Sequence, residues 1–202
     1  MIGKAQNAVN PDGFTSILTK PQQKILVPKS DSSLNALAKE TLMSSPYPCI
    51  IFSHASFETD SDGCSLEAKK VRDIFREVNE KYPKRVFLCI NGHYHADSVH
   101  VVENIVYFNL NCVYQGAWTL KKHNFFPKEF IEKHKGASNM DQCAFFKDAL
   151  NAIVTVDSDG IVDIEGMETT YLYDVTPEKM GLPIEFGVGK LVPYISNAHI
   201  EV

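Results

Sequence analysis

Three histidines that follow two apolar segments are the residues best suited to chemistry. His93 and His95 lie two residues apart in "CINGHYHADS", directly after Gly92, and His54 ends the run "PCIIFSH". Neutral imidazole is a common ligand for zinc, manganese and iron, and two imidazoles from one turn can reach one ion or two adjacent ions. A single histidine at the end of a strand is more often a hydrogen-bonded structural residue. The grouping of three favours a metal site, although spacing alone does not decide it.

The segments around these histidines indicate alternating helices and buried strands. Apolar residues at helical spacing predict helices over about residues 31–45 and 65–82, with Ser65 capping the second. Continuous apolar runs at residues 48–54 and 85–91 predict strands that are buried on both faces. Sites in open α/β sheets form at the carboxyl ends of the strands. If the two strands are parallel neighbours, the three histidines converge at one edge of the sheet.

The rest of the chain completes a single predicted domain over residues 1–202. Two hairpins are expected at residues 97–111, with a turn at Glu103 and Asn104, and at residues 151–166, with a turn in "DSDG". "TTYLYDV" predicts a last strand, and the segment after it an extended tail. The domain then divides into three parts, which are a largely irregular segment with one short strand in "KILVP" (1–30), a core (31–166), and a C-terminal strand and tail (167–202).

Composition excludes several classes of protein. The 202 residues, 44% of them hydrophobic, suffice for one domain with a core. A net charge of -5 with scattered Lys and Arg disfavours nucleic acid and anionic membranes as partners. No segment approaches the roughly 20 apolar residues of a membrane span, and the N-terminal sequence has no export signal. Five widely spaced cysteines without a CxxC pair predict free thiols, which favours a cytoplasmic location.

Three stretches together resemble a known superfamily. "IIFSHASFE", "FLCINGHYHADS" and "VYFNLNC" are similar to the C-terminal half of the calcineurin-like metallophosphoesterases, in which a lone His follows one strand and a Gly-His-x-His motif follows the next. The hairpin at residues 151–166 is similar to the one that closes the domain in many bacterial members. The resemblance covers about residues 34–166. It implies an α/β (α+β) fold, specifically half of a four-layer αββα sandwich with a mixed sheet and flanking helices.

The resemblance also implies a site and a reaction. His54 and His93 would bind one metal of a dinuclear centre and His95 the other, with manganese, iron or zinc as the ions. In that family the two ions hold a bridging hydroxide and polarise the phosphoryl oxygens, and phosphate mono- or diesters are hydrolysed. Three weaker candidates could orient an imidazole or touch substrate beside the site: Asn91, Asp97 and Asn111. Each is equally well explained as a turn or loop-capping residue.

The sequence departs from the family pattern in its first quarter. The Asp-x-His, Gly-Asp and Gly-Asn-His motifs of the family are absent from residues 1–53, where no histidine occurs and the only aspartates are Asp12 and Asp31. Three imidazoles without a carboxylate cannot neutralise two divalent cations. We therefore expect one bound ion or none, and no activity of this chain alone. No residue is assigned as catalytic.

Two explanations of this departure remain open at this stage. The chain is a truncated or partial form of a metal-dependent phosphoesterase, either a piece of a longer enzyme or a natural half that needs a partner. Alternatively, it is a non-catalytic remnant or interaction module that keeps a three-histidine partial metal site. Either way, a lone half would leave an apolar sheet face uncovered, which predicts a homo-oligomer or a covering partner.

Overall fold

The computed structural model describes residues 31–60, 64–137, 139–158 and 160–202, without the side chains of residues 31–37. The predicted strand at "KILVP" lies outside these ranges. The first elements are α1 (Asp31–Ser44), β1 (Cys49–Ser53), α2 (Ala68–Lys81), β2 (Val86–Asn91), β3 (Ser98–Val102) and β4 (Ile105–Asn109). The predicted order of helix, strand, helix, strand and hairpin is therefore confirmed.

The main sheet has the strand order β1-β2-β4-β3. β1, β2 and β4 run parallel, while β3 pairs antiparallel with β4. The turn between β3 and β4 falls at Glu103 and Asn104, both with positive φ (51° and 58°), as a two-residue hairpin turn requires. The expected parallel pairing of β1 with β2 is thus present, and it brings the carboxyl ends of the two strands together.

The two helices cover one face of this sheet. Phe75 and Val78 of α2 are buried against Val86 and Cys89 of β2 and Tyr107 of β4. The helix begins at Ala68 rather than beside the predicted cap Ser65, whose hydroxyl instead accepts a hydrogen bond from the Glu67 N–H (3.3 Å). Burial of this apolar stripe holds α2 on the sheet, since a short helix alone is marginal in water.

A second sheet covers the other face of the main sheet. It contains β7 (Ala152–Val156), β8 (Ile161–Gly166) and β11 (Ala198–Glu201), in the order β11-β8-β7 and antiparallel throughout. Val162 and Ile164 of β8 lie in one buried cluster with Leu88, Val106 and Phe108 of the main sheet. The expectation of an uncovered apolar face is therefore wrong, because the chain's own hairpin covers it. A homo-oligomer remains a prediction, but an uncovered sheet face no longer supports it.

The remaining elements surround the carboxyl edge of the main sheet. They are β5 (Gln115–Trp118), α3 (Lys128–Lys133), β6 (Cys143–Phe145), β9 (Glu185–Phe186) and β10 (Gly189–Lys190). β5 pairs with β6, and β9 with β10, each pair antiparallel. Phe126 is buried in this region, whereas Trp118 and Phe125 are half-exposed. The mixed α/β content agrees with the predicted fold class.

The C-terminal segment differs from the prediction. The expected strand at "TTYLYDV" is instead a short 3-10 turn at Leu172–Asp174, where Tyr173 and Asp174 have positive φ. The expected tail contains the β9–β10 hairpin and β11. Strands of two to four residues are too short to show an alternating pattern, which explains why the sequence did not reveal them. No helix within the described ranges is long and apolar enough to cross a membrane.

The contact between the two sheets generates a stability prediction. Phe108 is 1% exposed at this contact, and Phe108→Ala should lower the free energy of unfolding by about 3–5 kcal/mol, through lost burial and the cavity left behind. The matched control is Phe52→Ala in the same sheet, where the ring is 39% exposed and the loss should stay below about 1 kcal/mol. Urea denaturation measures both. Equal losses for the two variants would contradict the described sheet packing.

Candidate metal site

His54 and His93 leave the main sheet at the same edge. In the β1–β2 pairing Ser53 lies opposite Asn91, so the next residues of both strands emerge side by side. The Gly92 N–H donates to the His54 carbonyl (3.1 Å), which extends the pairing by one step past the strand ends. Parallel pairing thereby places two histidines that are distant in sequence on one short stretch of edge.

The two imidazoles are in direct contact. The distance from His54 Nε2 to His93 Nδ1 is 2.9 Å, and the ring centroids are 4.7 Å apart at an interplanar angle of 72°. Two nitrogens bound to one ion, each at about 2.1 Å, lie about 3 Å apart at the right angle of octahedral coordination and about 3.4 Å apart at the tetrahedral angle of zinc. Both side chains are exposed at the surface. The spacing of the two nitrogens therefore suits two ligands of a single ion that solvent and small molecules can reach.

The backbone of the histidine loop is held in an unusual conformation. His93 and His95 have φ values of 73° and 53°, in the left-handed region that costs a non-glycine residue about 1–2 kcal/mol. The preceding Gly92 does not have positive φ, and an added Cβ there would meet nothing nearer than the Leu110 carbonyl at 3.9 Å. The unusual dihedral angles fall on the histidines themselves, as happens at sites where packing enforces a strained conformation.

The β9–β10 hairpin provides that packing. Asp97 and Lys190 exchange two backbone hydrogen bonds, of 2.9 and 3.0 Å. A Cβ on Gly187 would lie 2.2 Å from the Tyr94 ring, and one on Gly189 would lie 2.7 Å from the Asp97 carbonyl, so only glycine permits this close approach. Tyr94, between the two histidines, is buried at 7% exposure. This contact of the β9–β10 hairpin with the histidine loop, the β9–β10 clamp, was not predicted from the sequence.

His95 has partners of its own. Its pKa is raised, first by a hydrogen bond with the Cys112 thiol and further by the backbone of Gln115, against the opposing effect of burial. Burial raises the pKa of Cys112, but the hydrogen bond with His95 and the backbone N–H groups of Tyr114 and Gln115 outweigh it and lower that pKa to about 7. His95 and Cys112 therefore form a second pair beside His54 and His93. Sequence analysis treated Cys112 only as a free thiol.

The protonation of His93 suits a metal ligand. The His93 side chain is exposed overall, but partial desolvation of its ring lowers its pKa, and electrostatic repulsion from His54 and His95 lowers it further. A pKa below the usual value near 6.5 leaves the ring neutral at pH 7, and neutral imidazole is the form that binds metals. The same repulsion shows that the three predicted histidines lie close enough to interact, although only His54 and His93 are in contact.

The three weaker candidates have structural partners. Asp97 accepts hydrogen bonds from the Ser196 N–H (3.0 Å) and hydroxyl (2.5 Å), so its carboxylate is bound to Ser196 rather than to an imidazole. The Asn111 amide donates to the carbonyls of Val192 (2.8 Å) and Tyr194 (3.2 Å). Asn91 donates to Asn109, and its own buried Oδ1 has no hydrogen-bond partner among the described residues. These side chains fix the loops around the site.

A buried polar network beside the site has no counterpart in the sequence analysis. Glu58 is 7% exposed, and its carboxylate contacts His100 Nδ1 and accepts a hydrogen bond from Asn109 Nδ2 (3.2 Å). Asn109 also donates to the Ser98 hydroxyl (2.7 Å). Glu58 and His100 line an open groove of about 530 Å³ that Lys190 borders from the β9–β10 side. His100 is half-exposed but bound to a buried carboxylate.

The described residues supply nitrogen ligands but no complete metal centre. Within the ranges that the structure covers, no three His, Cys, Asp or Glu side chains are grouped so as to hold an ion. His54 and His93 fit two positions of a coordination sphere, and the described carboxylates nearby, those of Glu58 and Asp97, are bound to other partners. The described residues therefore bring two imidazoles together but form no group that would hold an ion by itself.

Comparison with known proteins adds no relative. No family model, no curated protein and no solved structure matches this chain. The resemblance to calcineurin-like metallophosphoesterases consequently depends on the quoted motifs, and the geometry of the three histidines is the basis on which a function can be proposed.

The repulsion among the histidines leads to a pH prediction. His54→Ala should raise the pKa of His93, because it removes the electrostatic repulsion from His54 and part of the desolvation of the His93 ring. The pKa of His93 is lower in the folded chain than in the unfolded chain, where it lies near 6.5. The neutral His93 ring therefore contributes fully to the free energy of unfolding above the unfolded pKa. This contribution is lost as the pH falls through the folded pKa. NMR titration of the imidazole resonances measures the shift, with His199→Ala as the control. A pKa of His93 equal to or above that of His95 would contradict the described arrangement.

The His95–Cys112 pair leads to a reactivity prediction. With a pKa of about 7, Cys112 should be alkylated by iodoacetamide at neutral pH faster than Cys143, whose pKa is raised by burial. His95→Ala should slow the alkylation of Cys112 and leave that of Cys143 unchanged. Peptide mass spectrometry over a time course gives both rates. Equal rates for Cys112 with and without His95 would show that the pairing does not activate the thiol.

Proposed function

We propose that this chain carries the imidazole half of a metal-dependent phosphoesterase centre of the calcineurin-like type. The proposed ligands of one divalent transition metal are His54 and His93, and manganese, iron or zinc are the proposed ions. The supporting observation is the 2.9 Å contact between the two ring nitrogens at the ends of adjacent parallel strands. A phosphate mono- or diester is the proposed substrate class.

The chain's own residues prepare this site before any ion binds. The lowered pKa of His93 keeps its lone pair available at neutral pH, and the packing of Tyr94 against the β9–β10 hairpin holds the loop in place. A bound divalent ion would supply the positive charge that polarises a phosphoryl oxygen. Hydrolysis also requires carboxylate ligands, and the described residues bring none to this pair. We infer that these ligands come from a partner.

The wider architecture supports the same proposal. Two stacked sheets with helices outside one of them are compatible with half of an αββα sandwich. All five cysteines are free, which supports the proposed cytoplasmic location. The incomplete site also supports a second candidate function, that of a non-catalytic module that binds one metal ion. The two candidates differ in whether the bound metal accepts a phosphate group.

Metal binding is the first test of the proposal. Protein purified without chelator or histidine tag is titrated with Mn²⁺ or Zn²⁺ in a calorimeter. His54→Ala and His93→Ala should each weaken binding at the pair at least about 100-fold, because each removes one of two nitrogen ligands. His199→Ala is the control, because its imidazole is exposed and pairs with Asp163 in the second sheet. Unchanged affinity in both site variants would refute the proposed ligands.

Phosphate binding then separates the two candidate functions. Dimethyl phosphate is added to Mn²⁺-loaded protein, and the width of its ³¹P resonance is measured. Broadening in the wild type that is lost in His93→Ala supports a phosphoesterase centre, since the paramagnetic ion must lie beside the phosphorus. Metal binding without such broadening would favour the non-catalytic module.

A further inference from the structure

We propose that Glu58 and His100 form a general-base dyad, and that the groove beside them hydrolyses carboxylic esters with water as the nucleophile. His100 is the proposed catalytic residue, Glu58 is the residue that positions it, and a neutral ester is the proposed substrate class. This activity goes beyond the proposed function and requires no metal ion.

The dyad lies apart from the candidate metal site. His100 belongs to β3, opposite Tyr107 of β4, whereas His54 follows β1. β1 and β3 are the outer strands of the main sheet, so three strand spacings of about 4.8 Å, roughly 14 Å in all, separate them. None of the three histidines of the metal site is among the described residues that line the groove. The groove is therefore a site of its own.

The burial of Glu58 is the first argument. Its carboxylate contacts His100 Nδ1 and accepts a hydrogen bond from Asn109 Nδ2 (3.2 Å), and Asn109 also donates to the Ser98 hydroxyl (2.7 Å). A carboxylate at 7% exposure costs free energy of desolvation that an apolar side chain in the same place would avoid. A role for the carboxylate in holding the imidazole accounts for this cost.

The orientation of the His100 ring is the second argument. Because a carboxylate only accepts hydrogen bonds, the Nδ1–H of the ring donates to Glu58, and Nε2 carries the lone pair of the neutral ring. Nδ1 faces the buried carboxylate, so the exposed edge of this half-exposed ring is the one that carries Nε2. A histidine that is held at Nδ1 by a buried carboxylate has the arrangement of a general base.

The size and charge of the groove favour a small neutral substrate. Its volume of about 530 Å³ lies within the range of small-molecule sites. Besides Glu58, the side chains of Asp97 and Glu185 line it, and Lys190 is the one Lys or Arg among its described lining residues. This excess of carboxylates would repel a phosphate dianion but not a neutral ester. The charge balance therefore favours a carboxylic ester over a phosphate ester.

Lys190 is placed to stabilise the charge that develops during ester hydrolysis. Its backbone is fixed by the two hydrogen bonds with Asp97, and its ammonium group lies 3.8 Å from the Glu185 carboxylate. Because that distance is longer than a direct hydrogen bond, the ammonium group can turn to a ligand in the groove. Its single positive charge matches the single negative charge of a tetrahedral oxyanion.

The proposed reaction needs only water as a second reactant. His100 Nε2 takes a proton from a water molecule, and the water oxygen forms a bond to the ester carbonyl carbon. The carbonyl electron pair moves onto its oxygen, where Lys190 stabilises the negative charge. When this pair returns, the bond to the alcohol oxygen breaks, and the alkoxide takes the proton from His100. The products are a carboxylic acid and an alcohol, and the imidazole is neutral again.

Hydrolysis of para-nitrophenyl acetate tests the inference. Release of the nitrophenolate is followed by its absorbance, with EDTA present so that no bound ion contributes. His100→Gln should lower kcat/KM at least about 100-fold, because it removes the base, while its amide can still donate to Glu58. Glu58→Gln should lower kcat at least about 10-fold with KM unchanged, because the ring is no longer held in the required orientation.

His199→Gln is the matched control. His199 also pairs with a carboxylate, that of Asp163, but both side chains are exposed. Its rate of hydrolysis should equal that of the wild type. Wild-type hydrolysis no faster than that of His100→Gln would overturn the inference, and so would an equal loss in His199→Gln.

A measurement on the wild type alone does not depend on the folding of any variant. Hydrolysis should be slower in heavy water, because the general base moves a proton during the attack. Equal rates in the two solvents would mark an imidazole as the nucleophile and would overturn the proposed general base. Because EDTA removes bound ions, each result is independent of the metal titrations, and either proposal can fail without the other.

Discussion

Parallel pairing between β1 and β2 brings together every group at the candidate site. Because two parallel strands end at the same edge, His54 and the Gly92–His93 turn meet there, and the parallel neighbour β4 adds Asn109 and Cys112. The helices on one face and the second sheet on the other bury the strands and so hold that edge in register.

The stability of this core supports an unfavourable local conformation. Two left-handed histidines cost about 2–4 kcal/mol together, an amount comparable to the burial of one or two large side chains. The loop keeps this conformation because Tyr94 is buried and the β9–β10 hairpin contacts it through two glycines. A site preformed in this way loses little entropy when an ion binds.

Much of the architecture was predictable from the sequence, and the reasons are physical. α2 is long enough to show a helical period, β2 is a continuous apolar run, and the β3–β4 turn falls on residues that tolerate positive φ, so these elements were predicted correctly. β9 and β10 have two residues each and show no pattern. The cover provided by β7 and β8 was not foreseen because the hairpin pattern identifies strands but not the surface on which they pack.

The position of the histidines at one sheet edge was predictable to a similar degree, while their role as metal ligands stays a prediction. Histidine type and spacing pointed to His54, His93 and His95, and parallel strands brought them together. The pairing of Cys112 with His95, and of Glu58 with His100, depends on contacts between loops that no local pattern encodes. The roles suggested for Asp97 and Asn111 were equally ambiguous in sequence, and their partners, Ser196 and Val192, lie far along the chain.

The β9–β10 clamp also has a consequence for the order of events during biosynthesis. The hairpin that fixes the histidine loop leaves the ribosome well after the loop itself, so a nascent chain has β1 and β2 before it has the residues that hold His93 and His95 in their final backbone conformation. If the proposed function holds, an ion that requires this conformation can be captured only after synthesis has passed residue 190. Metal loading would then follow translation and depend on the ions present at that moment.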